Sequence, residues 1–377
     1  MQMIMAYHSS QAAFQSRLCC DKICLILHDS MHLSINRAKV SSVMNSPHAT
    51  VPISLVNGFL AAVRPNKSSV NAFAERAGIS QSLLDEPNAR VTRVQFSTLY
   101  RMLAIELDDE MAGILSRPLR NGFLKYLCLA CLDSPRLAVA MHRFGQFFHL
   151  ILDDVVFESS QVDDRARIAI LAPRGSEAIS VLGMELLLKL AHGVASWLVA
   201  QRIPLLQVEF AFSRPAHASD YLYLFPGPVL FDRAQTSMQF DARFFALPIR
   251  RRKLDLRDFL TRAPEDWIFT SFSEQLTSHR VRQILESALP HIPDLYAVTQ
   301  AMHCSPRTLS RRLEAEGTTF LAVKTELRRD IAIRRLTTTN DTLSAIAFEV
   351  GFDDATAFHR AFRHWTGSTP GAYRNAS

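Results

Sequence analysis

Two arginine-bearing stretches near the carboxyl end hold the side chains best suited to chemistry with a polyanion. In the first, Arg307, Ser310 and Arg311 fall at i, i+3 and i+4. In the second, Thr356, His359, Arg360 and Arg363 fall at i, i+3, i+4 and i+7. Residues at these spacings share one face of a helix. A guanidinium fork on such a face matches the O6 and N7 acceptors of guanine, while hydroxyls and an imidazole serve other base edges or phosphates. Arg363 is placed to meet the sugar-phosphate backbone rather than a base. A basic face on one isolated helix is ordinarily solvated. Two of them within one local plan favour contact with successive major grooves of double-stranded DNA.

The elements that must position these side chains can be read from period and caps. Leu295, Val298 and Met302 predict a short helix over residues 294–302. Ser305 and Pro306 supply a cap and a first-turn proline for the next helix, with Leu309 and Leu313 inward and Gly317 as its stop. The plan then repeats. Leu343, Ile346, Ala347 and Val350 form a short helix, Gly351 supplies the turn, and Phe352, Phe358 and Phe362 point inward beneath Trp365 and Tyr373. Residues 320–336 read as a long spacer helix with Leu327, Ile331 and Ala332 inward. Such a rod would hold the outer helices about 34 Å apart, one turn of DNA.

SPRTLSRRLEAEG and IAFEVGFDDATAFHRAFRHWTGSTPGAYR resemble the C-terminal DNA-binding domain of the AraC/XylS family of bacterial transcription regulators. The pattern G-F-x-D-x-x-x-F-x-R-A-F-x-x-W-x-G-x-x-P-x-x-Y-R spans residues 351–374. Many members carry a Leu/Met-Phe pair and then a basic residue late in the first outer helix; here Arg312, Leu313 and Glu314 stand there. That departure resembles the branch with an arabinose-binding-like N-terminal domain of the ornithine-regulator type. MAGILSRPLRNGFLKYLCLACLDSPRLAVAMHRFGQFFHLILDD and YLFPGPVLFDRAQTSMQFDARFFALPI are similar to that domain. The resemblance implies a small-molecule effector, self-association as a homodimer, and RNA polymerase as a further partner.

At 377 residues the length suits two domains. Hydrophobic residues at 48 % and charged residues at 21 % are ordinary for a globular chain. The net charge of +6 alone says little about a polyanionic partner. Between residues 277 and 377, thirteen Lys+Arg face ten Asp+Glu, so the placement of charge on outer helices carries the argument. Six cysteines without framework spacing read as reduced thiols in a cytoplasmic protein. Residues 181–200 form the longest apolar run, but Glu185, Lys189 and His192 interrupt it, which favours a buried helix over a membrane span.

Residues 1–44 read as a disordered extension, with no ligand set around Cys19, Cys20 and Cys24. Residues 51–254 read as an α+β effector-sensing and self-association domain, helices on a small antiparallel sheet. Helices are expected over 54–63, 70–77, 93–106, 109–115, 123–132, 136–150 and 177–201. Strands are expected over 154–159, 165–171, 207–212, 229–231 and 238–240, the first two paired through Asp163-Asp164. Residues 255–276 read as a linker helix. Residues 277–377 read as an all-α double helix-turn-helix domain, its units at about 294–317 and 342–365.

Catalysis finds no support. There is no phosphate loop, nucleophile elbow, HExxH or dinucleotide fingerprint, and hence no expected cofactor. Cys128 and Cys131 share an apolar helix face and read as buried thiols rather than a redox or metal pair. Two rival readings stay open. One is an enzyme or metabolite-binding protein whose helical C-terminus makes only protein contacts. The other is a DNA-binding protein without a ligand, dimerised by its N-terminal domain.

Overall fold

A computed structural model describes residues 50–63, 67–171, 179–218, 221–225, 227–269 and 276–374. The expected extension over 1–44 and its cysteines lie outside the described residues. The described residues begin with β1 (Thr50–Pro52), α1 (Ile53–Leu60, continued by a 3-10 turn), α2 (Lys67–Arg76) and α3 (Gln81–Leu84). β2 (Arg90–Thr92) pairs antiparallel with β1, Val51 opposite Val91. α4 (Arg93–Glu106) starts on a capping box: the Thr92 hydroxyl accepts from the Gln95 amide at 3.2 Å, and Gln95 Oε1 accepts from the Thr92 amide at 2.9 Å.

Residues 109–115 are turns, not the expected helix. The Asp109 carboxylate accepts from the amides of Met111, Gly113 and Leu119 at 3.0, 2.6 and 2.9 Å. Side-chain bonds of this kind take backbone donors that a helix would need. α5 (Phe123–Leu132) and α6 (Leu137–His149) follow, and α6 lies on β3 (Val156–Val162). The rings of Phe144 and Phe148 stand 5.0 and 4.8 Å from that of Phe157. β4 (Arg165–Leu171) completes the expected hairpin, turning at Asp163 with φ +51°.

α7 (Val181–Leu198) is long and apolar enough to cross a membrane, yet it is buried along nearly its whole length. β5 (Leu205–Glu209), α8 (Tyr221–Leu224), β6 (Val229–Leu230) and β7 (Thr236–Asp241) then complete a sheet ordered β3-β4-β7-β5-β6. Every neighbouring pair is antiparallel except β5–β6, which is parallel. The N-terminal half is thus helices around a small, mainly antiparallel sheet. α9 (Lys253–Arg262) and α10 (Glu265–Ile268) occupy the segment expected to join the domains. α10 docks on α7: Trp267 is buried, and a Cβ added at Gly193 would stand 2.6 Å from Trp267 Cα. The connecting segment therefore also belongs to the N-terminal core.

The C-terminal half is all helical: α11 (Thr277–Ser287), α12 (Leu295–Ala301), α13 (Pro306–Ala315), α14 (Phe320–Thr338), α15 (Leu343–Glu349), α16 (Ala355–Thr366) and α17 (Pro370–Arg374). Its buried apolar residues are continuous with those of the N-terminal half. The β1–β2 ribbon lies against α14. There Thr50 Oγ1 donates to Asp330 Oδ1 at 2.5 Å, Arg90 Nε donates to Thr50 Oγ1 at 3.0 Å, and the Arg90 amide donates to the Tyr373 hydroxyl at 3.1 Å.

Candidate nucleic-acid interface

Both helix-turn-helix units are set by caps written into the local sequence. Asp294 caps α12 and Ser305 caps α13, the latter accepting from the Thr308 amide at 3.2 Å with Pro306 in the first turn. Thr342 caps α15, and Asp354 caps α16 by accepting from the Ala357 amide at 2.8 Å. Each cap satisfies a donor that the first helical turn leaves open. Gly317 and Gly351 both have φ +76°, which ends α13 and turns α15 into α16. At Gly351 no side chain fits in any case, since a Cβ there would meet the Pro290 carbonyl oxygen at 2.8 Å.

The inner faces fix the rotation of the two outer helices. Leu309 and Leu313 bury α13. Phe358, Phe362 and Thr366 bury α16, with the rings of Phe362 and Tyr373 5.2 Å apart and Trp365 half-buried beside Phe352. The aromatic stripe is core, and the polar faces must point out. Arg307 and Arg311 are exposed and Ser310 is half-buried at the edge. On α16, Thr356, Arg360 and Arg363 are exposed, while His359 is half-buried. Two further residues share these outer surfaces. Arg312 is exposed on α13, and His364, four after Arg360, is exposed on α16. The i+4 spacing from Arg360 was the available signal for His364.

Arginines in this half fall into two groups. Arg282 pairs with Asp330 at 3.0 Å. Arg328 donates to the Gly351 carbonyl at 2.9 Å and lies over the Phe352 ring at 4.7 Å. Arg335 holds Asp341 and Glu349 at 2.9 and 2.7 Å, and Arg374 donates to the Asp341 carbonyl. Arg328 and Arg335 bolt the second unit to α14, Arg282 ties α11 to the same helix, and Arg374 fastens α17 to the loop before α15. Arg307, Arg311, Arg360 and Arg363 instead have no ion-pair or hydrogen-bond partner among the described residues. A solvated guanidinium with its donor fork open is the form that binds a phosphate or a guanine edge. α14, at 19 residues, is a rod of about 28 Å. α13 precedes it, and its other end leads into the second unit.

A paired helix-turn-helix domain with open basic faces, joined to an α+β domain, defines a DNA-binding transcription regulator as a class. The chain belongs to the AraC family of such regulators. Residues 68–249 match the family described as the arabinose-binding domain of AraC transcription regulator, N-terminal, and residues 298–376 match a helix-turn-helix domain family. The chain is 27 % identical over 334 residues to the ornithine utilization regulator of Pseudomonas aeruginosa, covering 88 % of this chain and 98 % of that protein. It is 38 % identical over 104 residues to the transcriptional activator NphR of a Rhodococcus species, covering 27 % of this chain and 30 % of NphR. Among solved structures it is similar to the regulator CdpR from P. aeruginosa, with 18 % identity, 85 % and 97 % coverage and a TM-score of 0.30. The regulator carries an N-terminal ligand-binding domain and a C-terminal DNA-binding domain.

Proposed function

We propose that α13 and α16 enter successive major grooves of an operator and that a small molecule bound in the N-terminal domain biases this docking. Arg307, Ser310 and Arg311 contact the first segment. Thr356, His359 and Arg360 contact the second, with Arg363 on its phosphates. The observation that carries this reading is the open guanidinium row on two outer helices, in a domain whose remaining engaged arginines are locked into turns and carboxylates. The protein acts in the cytoplasm and catalyses no reaction. Self-association through the N-terminal domain and contact with RNA polymerase complete the reading. The relative matched over nearly its whole length is named for ornithine utilization, which supports a small metabolite as effector.

The test is fluorescence anisotropy of the full-length protein on duplex DNA from upstream of its own gene, with a salt titration. Affinity is expected to fall linearly in a log–log plot against salt. The double variant Arg311→Ala, Arg360→Ala is expected to lose specific binding. Wild-type affinity in that variant overturns the assigned faces.

A further inference from the structure

Helix α7 carries four polar residues on one buried face. Glu185, Lys189, His192 and Ser196 lie within an arc of about 60° and are 4, 1, 0 and 4 % exposed. Three of them are matched by neutral or opposite partners. Glu185 Oε1 accepts from His217 Nε2 at 2.7 Å and from the Tyr221 hydroxyl. His192 Nε2 donates to the Ile203 carbonyl at 2.8 Å, and Ser196 Oγ accepts from the Ile203 amide at 3.4 Å. The last two bonds fasten the chain as it leaves α7, which is structural work.

Lys189 is different. Its ammonium donates to the Leu224 carbonyl at 2.8 Å and lies 5.6 Å from the centre of the Phe225 ring. Among the described residues no carboxylate pairs with it. The Arg93 guanidinium on α4, which has the same sign, acts on the ammonium. Glu185, on its own helix, is taken by His217 and Tyr221. Glu265 and Asp266 on α10 face Arg101 and Arg262 at 3.9 and 2.8 Å. The titratable groups of α6, namely His142, Arg143 and His149, are exposed. Burial and then Arg93 pull the Lys189 ammonium from 10.5 down to about 7. A buried cation without a counter-charge costs stability, so its retention asks for a reason.

Beside Lys189 stands an apolar wall. The rings of Phe210, Tyr221, Phe225 and Phe231 contact one another with centroids 5.3–6.0 Å apart. We propose that Lys189 with the Tyr221 and Phe225 rings forms the effector site, and that it takes an organic carboxylate with an apolar body. This rests on the reading that the N-terminal domain senses a small molecule. The carboxylate supplies the counter-charge that the fold withholds, in the acceptor position now held by the Leu224 carbonyl. The rings take the body. Arg93, the first residue of α4, follows directly on β2, which lies against α14. The charge state at Lys189 therefore acts close to the seam between the two halves.

Thermal melts of the full-length protein with phenylacetate and hexanoate, against phenylacetamide and hexanamide, test the proposal. At least one acid is expected to raise Tm progressively with the logarithm of its concentration above Kd, because ligand bound only by the folded state stabilises it. Its amide is expected to do nothing. Lys189→Met and Lys189→Gln, which remove the uncompensated charge, are expected to fold and to lose the shift. The wild-type Kd for the active acid is expected to rise up to tenfold per pH step of one above pH 7, as the ammonium deprotonates, and to stay flat in Lys189→Met. Three results overturn the site: neither acid shifts Tm, acid and amide act alike, or both variants respond as wild type does. DNA binding measured on the same samples separates the failures. If DNA is bound but the acids do nothing, only the site is lost; if wild type binds no DNA, the regulator reading is lost whatever the melts show.

Discussion

Thr50 and Asp330, 280 residues apart in sequence, share a hydrogen bond of 2.5 Å across the seam between the two halves. Asp330 lies within the helix that joins the two helix-turn-helix units, and it is also the partner of Arg282 at 3.0 Å and of Arg329 at 3.4 Å. One buried carboxylate thus ties the spacer rod to its supporting helix and to the ribbon of the ligand-binding half. The ribbon is thereby joined directly to the helix that stands between the two outer helices.

Replacing Asp330 by Asn leaves the 5 % exposed Arg282 without its counter-charge. Breaking a buried pair from one side costs about 3–5 kcal/mol, and guanidinium unfolding is expected to show a loss of that order. Acid adds a second signature. Burial alone would push the Asp330 carboxyl up, but Arg329, Arg282, Arg90 and the Thr50 hydroxyl bring it from 3.8 down to about 2. A depressed carboxyl stabilises the fold above its unfolded value and loses that contribution as pH falls through the folded one. Between about pH 5 and pH 1, wild type should shed about 2.5 kcal/mol from this group. An equal acid slope in Asp330→Asn would show that the carboxylate is not the source.

Arg328 and Arg360 are chemically identical and should fail differently. Arg360 has no partner among the described residues, so Arg360→Ala should leave Tm unchanged and weaken specific DNA binding by about 1–3 kcal/mol. Arg328 holds the Gly351 carbonyl at 2.9 Å and covers Phe352. Its removal should cost about 1.5–3 kcal/mol of stability, the range for a hydrogen bond from a charged donor. Circular-dichroism melts and anisotropy on the same two variants decide this. A shared phenotype would mean that the two groups of arginines are not distinct.

The contrast between those arginines also marks what the sequence could say. Both helix-turn-helix units were legible because their determinants are local. Ser305, Pro306, Thr342 and Asp354 cap their own helices, and Leu309, Leu313, Phe358 and Phe362 define a face by spacing alone. Nothing local separates Arg328 from Arg311, because only the folded neighbour differs. β1 and β2 went unread, since three residues each cannot show a period, and the Thr50–Asp330 contact has no local trace. Residues 109–115 carry Met111, Ala112 and Leu115 at helical spacing, but Asp109 claims the amides of Met111 and Gly113 within that stretch and of Leu119 beyond it. In the N-terminal sheet the hairpin β3–β4 was found and the parallel β5–β6 pair was not, because the hairpin closes through two residues.

Gly193 sets a conflict between propensity and packing. Alanine in a helix interior is favoured over glycine by about 1 kcal/mol. At this position the new Cβ would stand 2.6 Å from both Cα and Cβ of Trp267, and the former cannot swing away. Overpacking of this kind costs about 1–3 kcal/mol. Gly193→Ala is therefore expected to lower Tm and to loosen α10, read as faster hydrogen exchange over residues 265–268. An unchanged or raised Tm would show that α10 yields without cost.

Lys189 gives the last prediction: as with Asp330, stability rises with pH, here because a penalty is shed rather than a contribution gained. Its ammonium sits at about 7 in the folded chain against 10.5 in the unfolded one. Burial is the main cause and the like charge of Arg93 the second. Below pH 7 both states are protonated, and the folded state bears the full penalty of a buried cation. Between pH 7 and 10.5 the folded state has lost its proton while the unfolded state keeps it, so the penalty shrinks as pH rises. Above 10.5 neither is charged and the penalty is gone. The full penalty is on the order of 4–5 kcal/mol. Lys189→Met, with similar length and no charge, is expected to exceed wild type in stability by a few kcal/mol at pH 6. The gap should narrow at pH 8 and nearly close at pH 10, other titrations cancelling between the two proteins. Guanidinium midpoints at the three pH values measure it. A gap independent of pH, or a methionine variant less stable than wild type at pH 6, would place the counter-charge of Lys189 within the chain and remove the physical ground for an anionic ligand.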